Sequence, residues 1–358
     1  MNIEFLQCIR QAFYDSLNDD PRVTIFGLGV GDVKGVFGST LGLQDKFGVE
    51  RVFEMPLSEN SMTGVVAGMA MNGLIPIINH QRADFTFTSM EQIVNQISKL
   101  SFISNGEFNN SIVIRMIVGR GWGQGPTHAQ SPQSLFAHVP GLRVVAPGTP
   151  KDAYSLLRQS IESKGPTIFI EHRWLHGVQG NLEDLNTQGV SIEESEIVRK
   201  GNDLSIISFS YGLIEAMKIN SLLREKGIEP EVINLRTISP FDKKTILKSA
   251  SKTKKVIIID SSSTLFGISA EISSMIMSEL WGELEFPPLR IGNAFTPAPS
   301  SPFLAKQFYP EITEIMTKIS THFKFKSHLK FTEKEILEKY PIAGKYGDVP
   351  DKGQVGPF

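Results

Sequence analysis

The chain is poor in cysteine, in net charge and in long apolar runs, and each shortage excludes a class of protein. Its 358 residues include one cysteine, Cys8, so no internal disulfide is possible, and no Cys/His cluster has zinc-site spacing. The net charge of -2 gives no electrostatic footprint for nucleic acid or an anionic membrane. No run approaches the ~18 apolar residues that span a bilayer, and residues 1–7 do not resemble a signal peptide. We therefore expect a cytoplasmic protein that binds neither nucleic acid nor membrane.

Apolar segments with strand character alternate with helical segments along most of the chain. Continuous Val/Ile runs, such as residues 111–118 and 256–259, are typical of parallel strands covered on both faces. The chain is also too long for one small core. We predict an α/β fold, with a doubly wound parallel-sheet domain over residues 1–180 and a smaller α/β domain over residues 201–324.

Several local features are predicted within this frame. Residues 3–17 have helical periodicity, and the residues from Ser89 to Gln92 have the pattern of a capping box that opens a helix. Residues 173–200 interrupt the alternation and are rich in Gly, Glu, Asn and Gln, which predicts a linker at residues 181–200. Residues 325–358 carry many Lys and Glu residues and predict a C-terminal surface extension.

The most informative run is residues 52–64, which predicts a strand, a short turn and a helix. It places one carboxylate, Glu59, at the junction between strand and helix. A carboxylate is costly to bury unless something hydrogen-bonds it, so Glu59 can pair with a ring nitrogen of a bound cofactor. The alternative is an exposed Glu that interacts favourably with the helix dipole. Gly64 and Gly68 follow, and permit close packing either inside the domain or at a subunit interface.

A second candidate is the Gly-rich loop at residues 119–128, which directly follows a predicted buried strand. Open α/β sheets bind ligands at this carboxyl edge, but the loop lacks the Gly-Lys-Ser/Thr ending of a P-loop. A phosphate cradle and a flexible surface connection are both compatible with it. His128 ends the loop and can exchange protons near neutral pH. A purely structural role is the alternative for His128, as it is for His80, His138 and His172.

Taken together, these features resemble the β subunits of thiamine-diphosphate-dependent 2-oxo-acid dehydrogenases. This family contains the pyruvate, branched-chain and acetoin dehydrogenase β chains and is related to the C-terminal half of transketolase. The resemblance covers roughly residues 3–320 and implies a pyrimidine-binding transketolase-like domain followed by a transketolase C-terminal-type domain. The matching motifs occur in family order, at residues 35–37, 42–48, 51–59, 81–85, 91–95, 128–132, 136–142, 235–242 and 267–272.

The resemblance implies roles for individual residues. Glu59 matches the glutamate that hydrogen-bonds the aminopyrimidine ring of thiamine diphosphate and so promotes formation of the reactive carbanion. Phe85 matches the aromatic residue that lies against this ring, and Leu57 and Gln81 match neighbouring cofactor contacts. His128 matches the active-site histidine associated with acyl transfer to lipoyl groups.

The resemblance also implies a partner. The family's α chain binds the cofactor diphosphate through a metal, with a Gly-Asp-Gly motif followed by an Asn, and this sequence has no such motif. The chain would therefore supply half of an active site, and an α subunit would hold Mg²⁺ in an α2β2 heterotetramer. The implied reaction is oxidative decarboxylation of a 2-oxo acid with acyl transfer to lipoyllysine on a lipoyl acyltransferase. No residue identifies the 2-oxo acid.

Three positions depart from the family pattern. Leu28 stands where an acidic residue is usual, Arg82 stands where an aromatic residue is common, and His80 is also unusual. Two other interpretations therefore stay open, namely a split transketolase-like subunit that transfers ketol or acyl groups, and a non-catalytic scaffold subunit. The presence of both Glu59 and His128 favours an enzyme.

Overall fold

The computed structural model describes residues 2–341 and 349–350. The strands in this part of the chain are β1 (Asn2–Glu4), β2 (Val23–Gly27), β3 (Val52–Glu54), β4 (Ile75–His80), β5 (Ile112–Val118), β6 (Arg143–Val145), β7 (Pro166–His172), β8 (Gln179–Asn181), β9 (Glu196–Arg199), β10 (Leu204–Ser208), β11 (Pro230–Asn234), β12 (Thr237–Ser239), β13 (Val256–Ser263) and β14 (Leu289–Asn293). The helices are α1 (Phe5–Asp19), α2 (Leu43–Phe47), α3 (Glu59–Met71), α4 (Leu100–Ile103), α5 (Gln133–Ala137), α6 (Pro150–Glu162), α7 (Gly212–Glu225), α8 (Lys243–Thr253), α9 (Ile268–Glu279), α10 (Pro302–Phe308), α11 (Ile312–His322) and α12 (Glu333–Lys339).

Two sheets contain most of the strands in the described residues, and β1 and β8 form a third sheet of two strands. Within the described residues, the larger sheet has seven strands in the order β12-β6-β7-β5-β4-β2-β3 and is parallel except for β12. The smaller sheet has five strands in the order β14-β13-β10-β11-β9 and is parallel except for β9. Because β12 belongs to the second half of the chain but pairs with β6, the two halves share a sheet. The predicted α/β fold is confirmed.

The larger sheet is buried on both faces. Ile77 and Val113 pack in one apolar cluster with residues of α1 and α6, whereas the next residues, Ile78 and Ile114, pack in another cluster with residues of α3. Successive side chains of a strand point to opposite faces, so a sheet covered on both sides needs apolar residues at every position. This is why the strands read as continuous Val/Ile runs.

Three local predictions need correction. The first helix begins at Phe5, because Asn2–Glu4 form a strand that pairs with β8. The capping box at Ser89 is not formed, since helical turns already begin at Ala83 and the buried Ser89 hydroxyl has no hydrogen-bond partner among the described residues. A side chain inside a continuing helical run meets no free N-terminal N–H groups. Residues 173–200 are not simply a linker, since they contain β8 and β9. Strands of three and four residues are too short to show an apolar period in the sequence.

The first part of the predicted C-terminal extension is folded against the rest of the chain. Ile336 on α12 is only 2% exposed, and Glu335 forms an ion pair at 3.1 Å with Lys226, which directly follows α7. The end of the predicted extension, residues 342–348 and 351–358, lies outside the described residues. The division of the chain at residues 180, 200 and 324 stays a prediction. Among the described residues, none of the helices combines the length and apolar character needed to span a bilayer.

A buried aspartate on α6 ties the two halves together. Asp152 is completely buried and accepts hydrogen bonds from Asn234 Nδ2 at 2.7 Å and from Arg236 Nε at 2.8 Å. Its backbone N–H donates to Oγ1 of Thr149 at 3.1 Å, so Thr149 is the N-cap of α6. The N-cap hydrogen bond and the contacts of Asp152 with the second half of the chain are therefore both made at the first turn of α6.

Thr149→Ala is expected to lower the free energy of unfolding by about 1 kcal/mol, because an uncapped helix N-terminus leaves a backbone donor unsatisfied. Thr149→Ser keeps a hydroxyl acceptor and serves as the matched control. Urea titrations of the purified variants, followed by circular dichroism, measure the difference. Equal stability of the Ala and Ser variants would show that the cap contributes nothing.

Candidate active site

The predicted site residues lie along the carboxyl edge of the larger sheet. Glu59 is the first residue of α3, which follows β3, and Gln81 directly follows β4. His128 ends the loop that follows β5. These strands are parallel and belong to one sheet, so their carboxyl ends share the edge at which open α/β sheets bind ligands.

The carboxylate of Glu59 is available to a ligand. Glu59 is half-buried at the N-terminus of α3, and its backbone carbonyl accepts a hydrogen bond from Thr63 Oγ1 at 2.7 Å. Within residues 2–341 and 349–350, no group donates a hydrogen bond to its carboxylate. Leu57, two residues earlier, is 77% exposed. The exposed side chain of Leu57 beside it gives an apolar surface against which a ligand can pack.

Gln81 is fixed by the loop that follows β2. Its Nε2 donates to the carbonyl oxygen of Leu28 at 2.9 Å. Gly29 has a φ of 79°, and an added Cβ would lie 2.5 Å from Gln81 Nε2, so a larger residue there would be strained and would displace the Gln81 amide. The carboxylate of Glu54 accepts hydrogen bonds from the N–H groups of Gly29 at 2.6 Å and Gly31 at 3.1 Å. Glu54 therefore holds the loop that positions Gln81, a role not predicted from the sequence.

Phe85 and His128 lie together. Their rings meet edge to face, with centroids 5.5 Å apart and an interplanar angle of 87°. His128 is exposed, and its Nδ1 lies 3.1 Å from Thr127 Oγ1. A second contact joins the same two segments, because Gln130 Nε2 donates to Asp84 Oδ1 at 2.7 Å. The structure therefore brings the predicted ring contact and the predicted acyl-transfer histidine to one place.

The Gly-rich loop packs against the second half of the chain instead of staying open. At Gly125 the φ is 70°, and an added Cβ would collide with Oγ of Ser300. The guanidinium of Arg120 lies 4.4 Å from the ring centroid of Trp174 and 4.9 Å from that of Tyr309, at distances typical of cation–π contacts. Close packing against Ser300 accounts for the glycine at position 125, so no bound phosphate is needed to explain it.

The other histidines have structural surroundings. His80 is buried, and burial lowers its pKa to about 4. His172 is buried as well, and its ring stacks on Tyr211 with centroids 4.8 Å apart. Burial, together with nearby cations, holds the pKa of His172 well below its usual value. Both rings are therefore neutral at pH 7, whereas His138 is exposed.

Known protein families match both halves of the chain. Residues 2–177 match the family model described as "Transketolase, pyrimidine binding domain", and residues 193–315 match "Transketolase, C-terminal domain". The pyruvate dehydrogenase E1 component subunit beta of Mesostigma viride is 35% identical over 305 residues, which cover 84% of this chain and 92% of the relative. This chain is a member of the 2-oxo-acid dehydrogenase E1 β family.

Two further relatives have different names within the same family. The 2-oxoisovalerate dehydrogenase subunit beta of Bacillus subtilis (strain 168) is 32% identical, with 86% of this chain and 94% of the relative covered. The acetoin:2,6-dichlorophenolindophenol oxidoreductase subunit beta of Cupriavidus necator is 33% identical, with 86% and 93% covered. Among solved structures, the protein described as "Split gene transketolase, inactive beta4 tetramer" matches with a TM-score of 0.73. The match covers 90% of this chain and 99% of that protein. Because the two sequences are only 17% identical, the match supports the fold alone. The predicted family is confirmed.

In this E1 β-family chain, a buried ionic network underlies the candidate site. Arg115 on β5 and Glu171 on β7 are both fully buried and form an ion pair at 2.5 Å. Arg115 Nη1 also donates to Asn79 Oδ1 at 2.9 Å, and His176 Nε2 lies 2.9 Å from Glu171 Oε1. Burial raises the pKa of Glu171, but Arg115 and His176 outweigh burial and lower it to about 2. The only signal of this network in the sequence is a charged residue inside each of two apolar strands.

The candidate site residues have side chains whose chemistry fits the pyrimidine half of thiamine diphosphate. A carboxylate without a protein partner suits a ring nitrogen that carries a proton, and Glu59 provides it. The half-buried ring of Phe85 and the exposed side chain of Leu57 offer apolar surfaces for the faces of an aromatic ring. In the part of the chain that the structure describes, no group of three or more His, Cys, Asp or Glu residues could hold a metal ion.

Proposed function

We propose that this chain is the β subunit of a thiamine-diphosphate-dependent E1 enzyme that oxidatively decarboxylates a 2-oxo acid and transfers the acyl group to lipoyllysine. The observation that carries the proposal is the carboxylate of Glu59, which has no hydrogen-bond partner among the described residues and stands at a helix N-terminus beside the exposed Leu57. The names of three relatives, the β subunits of pyruvate, 2-oxoisovalerate and acetoin enzymes, support it.

In this proposal, each candidate site residue of the chain has a separate role in the reaction. Thiamine diphosphate, when bound, supplies the nucleophilic carbon and the electron sink for decarboxylation. Glu59 holds a proton at the pyrimidine ring nitrogen, and Leu57, Gln81 and Phe85 orient that ring. Gln81 is prepared for this role by its hydrogen bond to the Leu28 carbonyl. His128, exposed at the mouth of the site, donates or accepts a proton as the acyl group leaves for the lipoyl group.

A partner subunit completes the site in this proposal. The α subunit binds the diphosphate and Mg²⁺, and two copies of each chain form an α2β2 heterotetramer. Support comes from the missing Gly-Asp-Gly motif and from apolar residues near the start of α3 that are exposed in the single chain, namely Leu57 at 77% and Val65 at 47%. A lipoyl acyltransferase receives the acyl group. We place the enzyme in the cytoplasm, since a chain with one cysteine cannot form an internal disulfide and so suits a reducing compartment.

Neither alternative interpretation receives comparable support. The neighbour titled as a split-gene transketolase shares the fold at 17% identity, which says nothing about ketol transfer in this chain. A scaffold subunit would not need an available carboxylate, and it would not need a histidine beside an aromatic ring at the sheet edge. Leu28, which replaces the usual acidic residue, packs against the apolar core, and Glu54 anchors the loop instead.

The experiment that tests the proposal is reconstitution with the α subunit. The two chains are co-expressed and supplied with thiamine diphosphate and Mg²⁺. A panel of 2-oxo acids is then assayed by dye reduction and by acylation of a lipoyl domain. We expect both activities with at least one 2-oxo acid. Ketol transfer between sugars without lipoyl acylation would instead identify a transketolase-like enzyme.

A further inference from the structure

Arg82 is a buried cation at the edge of the candidate site. It lies between Gln81 and Phe85 at the carboxyl end of β4 and is only 6% exposed. Its Nη1 donates to the Gln81 carbonyl oxygen at 3.2 Å, and its guanidinium lies 5.1 Å from the ring centroid of Phe37. In residues 2–341 and 349–350, no carboxylate forms an ion pair with it.

A second buried arginine adds to the positive charge at this place. Arg173, at the end of β7, is 4% exposed, and its guanidinium lies 3.9 Å from the same Phe37 ring. Its Nη1 lies 2.9 Å from His176 Nδ1. Burial and the charge of Arg82 lower the pKa of Arg173 to about 10, so both guanidinium groups remain charged at neutral pH. Two cations thus share one aromatic ring.

The acidic residues nearby do not balance the charge of Arg82. Glu171 is already paired with Arg115 at 2.5 Å. Asp84 raises the pKa of Arg82, which burial lowers, but the Asp84 carboxylate accepts its hydrogen bond from Gln130. A buried charge without a partner is costly, so the edge of the site beside Gln81 is prepared for an anion.

A guanidinium group selects planar or tetrahedral oxyanions. It binds a carboxylate or a phosphate through two parallel N–H···O bonds, and a neighbouring cation strengthens the attraction. We propose that Arg82 binds a second anionic group, a carboxylate or a phosphate, at the far end of the substrate, so that the enzyme prefers 2-oxo acids with an acidic tail. This inference rests on the proposed function, which places the cofactor ring against Gln81 and Phe85 and so brings the 2-oxo acid that reacts with the cofactor to the same edge of the sheet.

The test is equilibrium binding of 2-oxoglutarate and of pyruvate to the complex of this chain with its α subunit. Leaving out the cofactor prevents turnover, so the result does not depend on catalysis. The wild type binds 2-oxoglutarate more tightly than pyruvate. Arg82→Met weakens 2-oxoglutarate binding roughly tenfold or more and leaves pyruvate binding within about twofold, since one charged hydrogen-bonding group is lost.

Two further variants make the result specific. Arg82→Lys keeps the charge but loses the bidentate fork, so it binds 2-oxoglutarate with an affinity between those of the wild type and Arg82→Met. Arg82→Lys also serves as the test variant if Arg82→Met does not assemble with the α subunit. Arg22→Met removes an exposed arginine, paired with Asp20, at the opposite end of β2. This matched control changes the binding of neither acid.

Several results would overturn the inference. These are equal weakening of both acids, unchanged binding of 2-oxoglutarate in Arg82→Met, or no preference for 2-oxoglutarate in the wild type. A parallel titration with thiamine diphosphate tests whether the anion that Arg82 binds is instead the diphosphate of the cofactor. If Arg82→Met loses affinity for the cofactor alone, Arg82 contacts the diphosphate and not the substrate. Failure of the proposed function is distinguishable, since it appears as absent dye reduction with every 2-oxo acid while the binding difference persists.

Discussion

Replacing Glu59 by Gln in the assembled enzyme is expected to lower the turnover number about 100-fold or more and to leave the fold intact. Proton transfer through a positioned side chain is typically worth about 10²–10⁴-fold. A neutral amide provides no negative charge to hold a proton at the pyrimidine ring. Because no described residue hydrogen-bonds the Glu59 carboxylate, the substitution removes no contact that stabilises the chain itself.

Dye-coupled decarboxylation of the 2-oxo acid measures this effect, and circular dichroism checks the fold. The matched control is Glu50→Gln, which removes the same charge from an exposed position and should leave the rate unchanged. If Glu59→Gln turned over at the wild-type rate with an artificial electron acceptor, Glu59 would have no part in the mechanism.

The His128→Ala variant should transfer the acyl group to a lipoyl domain about 100-fold more slowly or worse, while decarboxylation slows much less. General acid–base catalysis of a single step has this magnitude. The imidazole is exposed, and among the described residues its side-chain contacts are with the ring of Phe85 and the hydroxyl of Thr127. It is therefore free to reach a group that enters from outside, but it does not support the fold.

Two assays on one variant separate the possible roles of His128. Dye reduction reports decarboxylation, and mass spectrometry of the lipoyl domain reports acyl transfer. His138→Ala changes another exposed histidine and should affect neither assay. Equal losses in both assays would make His128 a residue that positions the cofactor. Wild-type rates in both would return it to a structural role and weaken the dehydrogenase assignment.

The sequence predicts the sheets better than their edges. Strands such as β5 and β13 are visible because both faces of the sheet are buried, so Val and Ile occur at consecutive positions. Strand β9 is a half-exposed edge strand of four residues with the sequence EIVR, and its single Ile-Val pair is too short to predict a strand. Ser89 has the local pattern of a helix start, but the helical turns that precede it are set by tertiary packing.

The site divides in the same way. Leu57, Glu59, Gln81, Phe85 and His128 stand in short motifs, so a resemblance can identify them one by one. Glu54 and the Arg115–Glu171 pair act through contacts across 25 and 56 residues of sequence. A pattern read along one chain does not connect such positions. The structure adds the shell of residues that hold the motif residues in place.

The most direct measurement of the central claim, that this chain supplies half of a cofactor site, is a calorimetric titration with thiamine diphosphate and Mg²⁺. The titration is made once with the isolated chain and once with the complex of the chain and its α subunit. We expect no saturable binding at micromolar concentrations to the isolated chain and clear binding to the complex, because the motif for the metal and diphosphate is absent from this sequence. Micromolar binding to the isolated chain would contradict the account.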